Sequence, residues 1–246
     1  MSTSYTMEFV VDSRDMDMYG QCRPSALLGY LQEGATLAGL ELGVSGPQIK
    51  ARYNTMWMVA RLWVELDTPL GWNQRVELQT WHRGAAGVSS YRDFLLRREG
   101  REIGRAVSTW VMVDVDSHKL FRMKDLAEFA GTDGGELCFD KKLHRVSVPG
   151  EFDGWEERRL GYSETDINGH INNTRYADYA CDALHLERCG QGKFVRSFQI
   201  GYVGECMAGE TIRVDTAIRG DELYARGRGG DGGERFDFAM TLANLS

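Results

Sequence analysis

The sequence predicts an α+β fold built from one unit used twice. Three observations carry that prediction. Apolar residues between positions 24 and 38 recur at helical spacing, and the stretch from 56 to 115 then alternates at the two-residue period of strands. After a break at 116–155, the same order of strand, helix and strands returns.

In chain order, Glu8 to Asp12 reads as a first strand. Pro24 suits the first turn of a helix, because its missing N–H would have no intrahelical partner there. Leu27, Leu28, Leu31, Ala35 and Ala38 continue the apolar stripe, and Gly39 and Gly43 offer its end. A loop with Gly46-Pro47 is expected over 40–56. The run Met56 to Leu66 is rich in aromatic and β-branched residues, Arg75 to Trp81 alternates cleanly, and Tyr91–Arg97 and Ile103–Val115 follow as strands. Gly84 to Gly87 and Arg98-Glu-Gly100 supply turns.

Residues 116–155 lose this pattern and read as a linker between a first domain (1–115) and a second (156–246). The second domain opens with a strand near Glu157 to Tyr162. A helix from about Asn173 to Leu186 carries Tyr176, Tyr179, Ala180, Ala183 and Leu184 on one face, with Asn172 or Asn173 as its N-cap. Strands at Phe194–Val203, Thr211–Arg219, Glu222–Arg228 and Glu234–Ala243 complete it. At an offset of 151, Asp15, Asp17 and Tyr19 fall on Asp166, Asn168 and His170; at 136, Arg75–Thr80 falls on Thr211–Thr216. In that register the first copy has Tyr19 for His170 and Pro69 for Glu205, so only the second keeps proton-transfer chemistry.

Composition narrows the function classes. Of 246 residues, 42% are hydrophobic and 26% charged, enough for a substantial core. The net charge of −7 argues against nucleic acid, whose backbone requires a basic surface. Five cysteines without a C-x-x-C pair point to reduced thiols and a cytoplasmic setting, and the five histidines show no metal-ligand spacing. The N-terminus lacks the charged and apolar regions of a signal peptide, and no window reaches the length of a membrane span.

The chemistry centres on Asp166-Ile-Asn-Gly-His170, just ahead of the second helix. Read as an extended segment, Asp166, Asn168 and His170 share one face, where a carboxylate orients an imidazole and an amide donates to a carbonyl oxygen. Free N–H groups at the helix start would add an oxyanion site. For the bare D-x-N-x-H a purely structural reading, in which Asp166 and Asn168 cap a helix and make a turn, is favoured; the Asn172-Asn173 doublet, the helix start and the duplicate without histidine weigh against it. Glu205-Cys206 follows a strand and offers two competing partners for His170: a carboxylate acting on water, or a thiolate nucleophile.

With Leu31-Gln-Glu33, Trp57-Met-Val-Ala-Arg-Leu62, Tyr91-Arg-Asp-Phe94, Ile103 to Met112 and Gly204-Glu-Cys206, these residues resemble the acyl-acyl-carrier-protein thioesterases, the double hot-dog family of plant plastids and bacteria. The resemblance covers nearly the whole chain. It implies a tandem hot-dog fold and hydrolysis of the thioester between a fatty acyl chain and the phosphopantetheine of acyl carrier protein, with no cofactor and no metal. Asp166, Asn168, His170 and Glu205 match the family's catalytic positions, and Cys206 a position proposed as nucleophile in a papain-like scheme. The family's first half holds the acyl chain, which here points to Leu28, Leu31, Trp57 and Met58. Gly204 departs from the arginine of plant members, and the plastid transit segment is missing. Rival readings are an acyl-coenzyme A thioesterase, a non-catalytic acyl-binding sensor and a hydratase; a homodimer is the further partner to test.

Overall fold

The structure is a computed structural model that describes residues 4–123, 126, 137–140 and 142–245. The chain forms two compact units. The first comprises residues up to Val10, Gly29–Val64 and Asn73–Leu143; the second comprises Val11–Leu28, Glu65–Trp72 and His144 onward. This division differs from boundaries at 115 and 155, because two early segments fold with the later half.

In the first unit, β1 (Ser4–Val10) precedes the long helix α1 (Pro24–Glu41), which starts in the second unit. A short α2 (Gly46–Tyr53) leads into β2 (Thr55–Leu66), β3 (Arg75–Ala86), β4 (Ser89–Arg98) and β5 (Arg101–Asp114). The strands lie in the order β1-β3-β4-β5-β2, with antiparallel β1–β3, β3–β4 and β4–β5 pairs. Phe9 stacks on Tyr30 of α1 at 4.0 Å, while Leu31, Leu78, Phe94 and Leu96 are buried to 0% exposure, as the stripe of α1 requires.

Helix α2 replaces the loop expected over 40–56. Its start is fixed by Gln48, whose Oε1 accepts from the Ser45 N–H and hydroxyl, and by Pro47 in the first turn. Asn54 ends it in the left-handed region at φ 52°. Ile49 then joins Val44, Met112, Met123 and Leu126 in a small apolar cluster.

In the second unit, β6 (Gly154–Arg159) is followed by α3 (Arg175–Ala183), a single turn α4 (Leu186–Cys189), and β7 (Lys193–Tyr202), β8 (Thr211–Arg219), β9 (Glu222–Gly229) and β10 (Glu234–Asn244). These strands run β7-β10-β9-β8-β6, with antiparallel β7–β10, β10–β9, β9–β8 and β8–β6 pairs. The helix expected to run to Leu186 stops at Ala183, because His185 turns left-handed at φ 54°. Tyr176, Ala177, Tyr179, Ala180 and Ala183 are the buried face of α3, which lies against β6, β8, β9 and β10. Among the described residues, no helix is long and apolar enough to cross a membrane.

Candidate active site

The site lies where the segment before α3 meets the segment after β7. The approach is a single 3-10 turn, Tyr162–Glu164. Glu164 fixes it: one carboxylate oxygen accepts from the Gly161 N–H at 2.6 Å, and the other accepts from Arg158 at 2.8 Å. Its carbonyl also accepts from the Asn172 N–H at 2.8 Å, tying the two ends of the intervening loop together. Burial works to raise the Glu164 pKa, but the Gly161 N–H and Arg158 outweigh it and hold the carboxyl below the usual glutamate range. A carboxylate depressed in this way adds stability above that range and loses it as pH falls below. Wild type is therefore expected to be more stable than Glu164→Gln at neutral pH, with the two converging on acidification, as read by denaturant titration at several pH values.

Asp166, Asn168 and His170 do not form the extended face the spacing suggested. They make a tight turn. The Asp166 N–H bonds the His170 carbonyl at 2.8 Å, and the Gly169 N–H bonds the Asp166 carbonyl at 3.1 Å. Gly169 has φ 81°, a conformation a side chain would resist. The Asp166 carboxylate accepts from the Asn168 N–H at 2.8 Å and from its amide Nδ2 at 3.4 Å. It therefore orients the amide of Asn168, not the His170 ring as the extended reading implied.

His170 is delivered to Glu205 by the backbone. The Ile171 N–H donates to the Cys206 carbonyl at 2.8 Å, and His170 stands opposite Met207 in an antiparallel bridge. The His170 Nδ1 lies 3.5 Å from Glu205 Oε1, with the two side chains 33% and 48% exposed. This is ion-pair range, and catalytic pairs commonly tighten only with substrate present. The imidazole Nε2 has no partner among the described residues.

Two other expectations change. The N–H groups at the start of α3 do not form an open oxyanion site. The side-chain oxygen of Asn172 accepts from the Thr174 N–H at 2.9 Å, and the N–H groups of Arg175, Tyr176 and Ala177 bond carbonyls three residues back. Asn172 thus braces the turn ahead of the helix, which begins only at Arg175 with Thr174 at its N-cap, so neither Asn172 nor Asn173 holds the capping position. Cys206, the rival nucleophile, has 0% exposure and lies beside Tyr176. Burial pushes its thiol pKa up, which keeps it protonated. Tyr176 itself is wedged edge-on against Phe236 and Tyr202. Nothing in the sequence distinguished this backing role from that of any other helix-face tyrosine.

The first copy of the turn settles the register of the duplication. The Asp17 N–H bonds the Gln21 carbonyl at 2.7 Å, the Gly20 N–H bonds the Asp17 carbonyl at 3.2 Å, and the Tyr19 N–H bonds Asp17 Oδ1 at 2.8 Å. The Cys22 N–H reaches the Leu70 carbonyl at 2.7 Å, as that of Ile171 reaches Cys206, and Gly20 has φ 75°. Asp17, Tyr19 and Gln21 therefore match Asp166, Asn168 and His170 at an offset of 149, not 151. Gln21, and not Tyr19, occupies the histidine position; Pro69 still answers Glu205.

Of the apolar candidates, Leu28 and Leu31 are buried on α1 at 2% and 0% exposure. Trp57 is half-buried, packs on the cluster around Val44 and Ile49, and donates its indole N–H to the Val44 carbonyl at 2.7 Å. Met58, beside it on β2, is half-buried.

Comparison with known proteins gives the family and the fold. The family model of the acyl-ACP thioesterase N-terminal domain matches residues 2–129, and that of the C-terminal domain matches residues 155–227. The chain belongs to the acyl-ACP thioesterase family. Among relatives within it, a chloroplastic oleoyl-acyl carrier protein thioesterase from Coriandrum sativum is 24% identical over 242 residues, covering 89% of this chain and 64% of that protein. Oleoyl-acyl carrier protein thioesterase 2 from Arabidopsis thaliana, also chloroplastic, is 25% identical over 75% of this chain and 55% of its own length. The chain thus spans little more than half to under two thirds of these relatives. An acyl-ACP thioesterase structure from Bacteroides thetaiotaomicron VPI-5482 superposes over 99% of this chain and 100% of its own, with TM-score 0.89 and 21% identity. The 12:0-ACP thioesterase from Umbellularia californica superposes over 100% and 99%, with TM-score 0.87 and 17% identity. The family's tandem hot-dog architecture, expected from the sequence, is therefore the fold of this chain.

Proposed function

We propose that this chain hydrolyses the thioester of fatty acyl-acyl carrier protein, releasing free fatty acid and ending chain elongation. The observation that carries the reading is the meeting of His170 and Glu205 at 3.5 Å, from segments 35 positions apart, on a turn closed by the Asp166–His170 and Gly169–Asp166 backbone hydrogen bonds. Family membership supplies the substrate class.

In this mechanism Glu205 holds the imidazole through Nδ1, which leaves Nε2 as the base for a water molecule. Water attacks the thioester carbonyl carbon as its proton passes to Nε2. The amide N–H of Asn168, aimed by Asp166, donates to the oxyanion that forms. Collapse of the tetrahedral intermediate breaks the C–S bond, and the imidazolium returns its proton to the departing thiolate. Glu205 stabilises the imidazolium throughout. The acyl chain is assigned to the apolar positions Leu28, Leu31, Trp57 and Met58. A reducing, cytoplasmic setting suits the five unpaired cysteines.

Because the Cys206 thiol is buried and protonated, it takes no covalent part. Cys206→Ser is expected to retain turnover within about threefold of wild type, since only weak packing changes. Trapping an acyl group on Cys206 in rapid-quench mass spectrometry would refute the water mechanism. The substrate assignment is tested by matched acyl chains on carrier protein and on coenzyme A: a higher kcat/KM on the carrier protein is expected. Equal or better rates on coenzyme A would move the substrate class, and tight binding without turnover would make the chain a sensor.

A further inference from the structure

The first copy of the turn opens on a cavity of about 520 Å³ within the second unit. That size falls inside the roughly 300–1,000 Å³ of small-molecule sites. Asp17, Tyr19 and Gln21 stand at one side of it, and Leu27, Leu66, Leu70, Phe194 and Phe198 supply buried apolar wall. We propose that this cavity is a second acyl site that holds a free fatty acid and does not cleave its thioester counterpart.

The replacements at the turn remove the chemistry while leaving the architecture. Gln21 cannot act as a base, and its amide Nε2 already donates to the Lys193 carbonyl at 2.7 Å. Pro69, at the position of Glu205, carries no titratable group. The backbone of the turn is nonetheless retained hydrogen bond for hydrogen bond, along with the opening it frames. What the duplicated turn was built around is known only from its working twin, so the ligand class rests on the proposed hydrolysis at His170.

The polar lining selects the head group. The four acids on this wall are engaged: Asp17 accepts from the Tyr19 and Gln21 N–H groups, Asp178 pairs with Arg175 at 3.1 Å, Asp182 pairs with Arg158 at 2.7 Å, and Glu187 pairs with Arg188 at 3.2 Å and lies 3.1 Å from His185 Nδ1. Arg23 differs. It lines the cavity, one of its terminal nitrogens donates to the Arg14 carbonyl, and its guanidinium has no carboxylate partner among the described residues. A guanidinium without a carboxylate partner, on the lining of a cavity with apolar walls, suits a carboxylate on the end of an alkyl chain.

The test uses the full chain and a fatty acid bearing a photoreactive diazirine on its alkyl chain. Irradiation followed by peptide mapping is expected to label residues of this wall, between Arg23 and Leu27 or between Leu186 and Phe198. Labelling should be the same in His170→Ala, because the catalytic turn is elsewhere. Arg23→Gln is expected to weaken binding about tenfold or more, and the uncharged methyl ester should bind wild type correspondingly less well. Leu186→Trp, which fills the cavity from its half-buried rim, should abolish labelling there. Label confined to other peptides, or binding indifferent to both Arg23→Gln and Leu186→Trp, would overturn the proposal. A chain that never hydrolyses thioesters yet is labelled at this wall would sink the catalytic reading and leave the binding site standing.

Discussion

His170→Ala is expected to lower the turnover of fatty acyl-acyl carrier protein by about 10²- to 10⁴-fold, the range that a positioned acid-base group contributes. KM should change little, because the ring serves proton transfer and the acyl chain is held elsewhere. The variant should fold normally. The imidazole is one-third exposed, and every hydrogen bond that shapes the turn, from Asp166 to Ile171, uses backbone atoms or the Asp166 carboxylate. A steady-state comparison alongside a thermal melt separates the two effects. Full activity in a folded His170→Ala protein would remove the imidazole from the mechanism.

Gly227→Ala should produce the largest loss of stability from a single methyl group. Gly227 lies on β9, paired with Phe236 of β10. A Cβ there would fall inside the van der Waals envelope of the Phe236 ring, which is buried at 0% exposure and has no free volume to retreat into. Overpacking of this kind costs about 1–3 kcal/mol or more, and the melting temperature should fall by several degrees, about 2–4 °C per kcal/mol for a chain of this size. The consequence reaches the site. Phe236 packs edge-on against Tyr176 at 5.4 Å, and Tyr176 lies beside Cys206, whose carbonyl anchors Ile171 next to His170. Residual activity at a temperature where the variant is still folded should therefore also be reduced. An unchanged melt would show that the ring moves aside freely.

The parts legible in the sequence are those governed by periodicity. The stripe from Leu27 to Ala38 reports α1 because a helix that buries one face must repeat near 3.6, and Pro24 marks its first residue as α1 begins. β8 spans Thr211–Arg219, the bounds expected from the sequence. Departures come where short-range hydrogen bonds compete with pattern. Helix α2 was hidden because eight residues with one buried side chain, Ile49, leave almost no stripe. At 184–186 the apolar spacing continued past the break made by His185. The D-x-N-x-H spacing serves an extended strand and a turn alike; the choice is made by Asp166 bonding its own backbone neighbours and by Gly169 at positive φ.

The same ambiguity shifted the register of the duplicated turn by two. Both Asp15 and Asp17 can be matched to Asp166 by residue type; the sequence reading took Asp15, whereas the backbone pairs Asp17 with it. In either register the first copy lacks the imidazole and the carboxylate, so the proposal that the chemistry belongs to the second copy does not depend on the register. The partnership of His170 with Glu205 was readable as a candidate only; the bridge to Met207 that sets it is a long-range pairing with no local signature.

A double-mutant cycle on His170 and Glu205 decides whether they act as one unit. Turnover of acyl-acyl carrier protein would be measured for wild type, His170→Ala, Glu205→Gln and the double variant. If the carboxylate works through the imidazole, the double variant should be no slower than His170→Ala within about threefold, because Glu205 has nothing to act on once the ring is gone. Penalties that multiply, or a double variant that hydrolyses at the wild-type rate, would contradict the His170–Glu205 dyad.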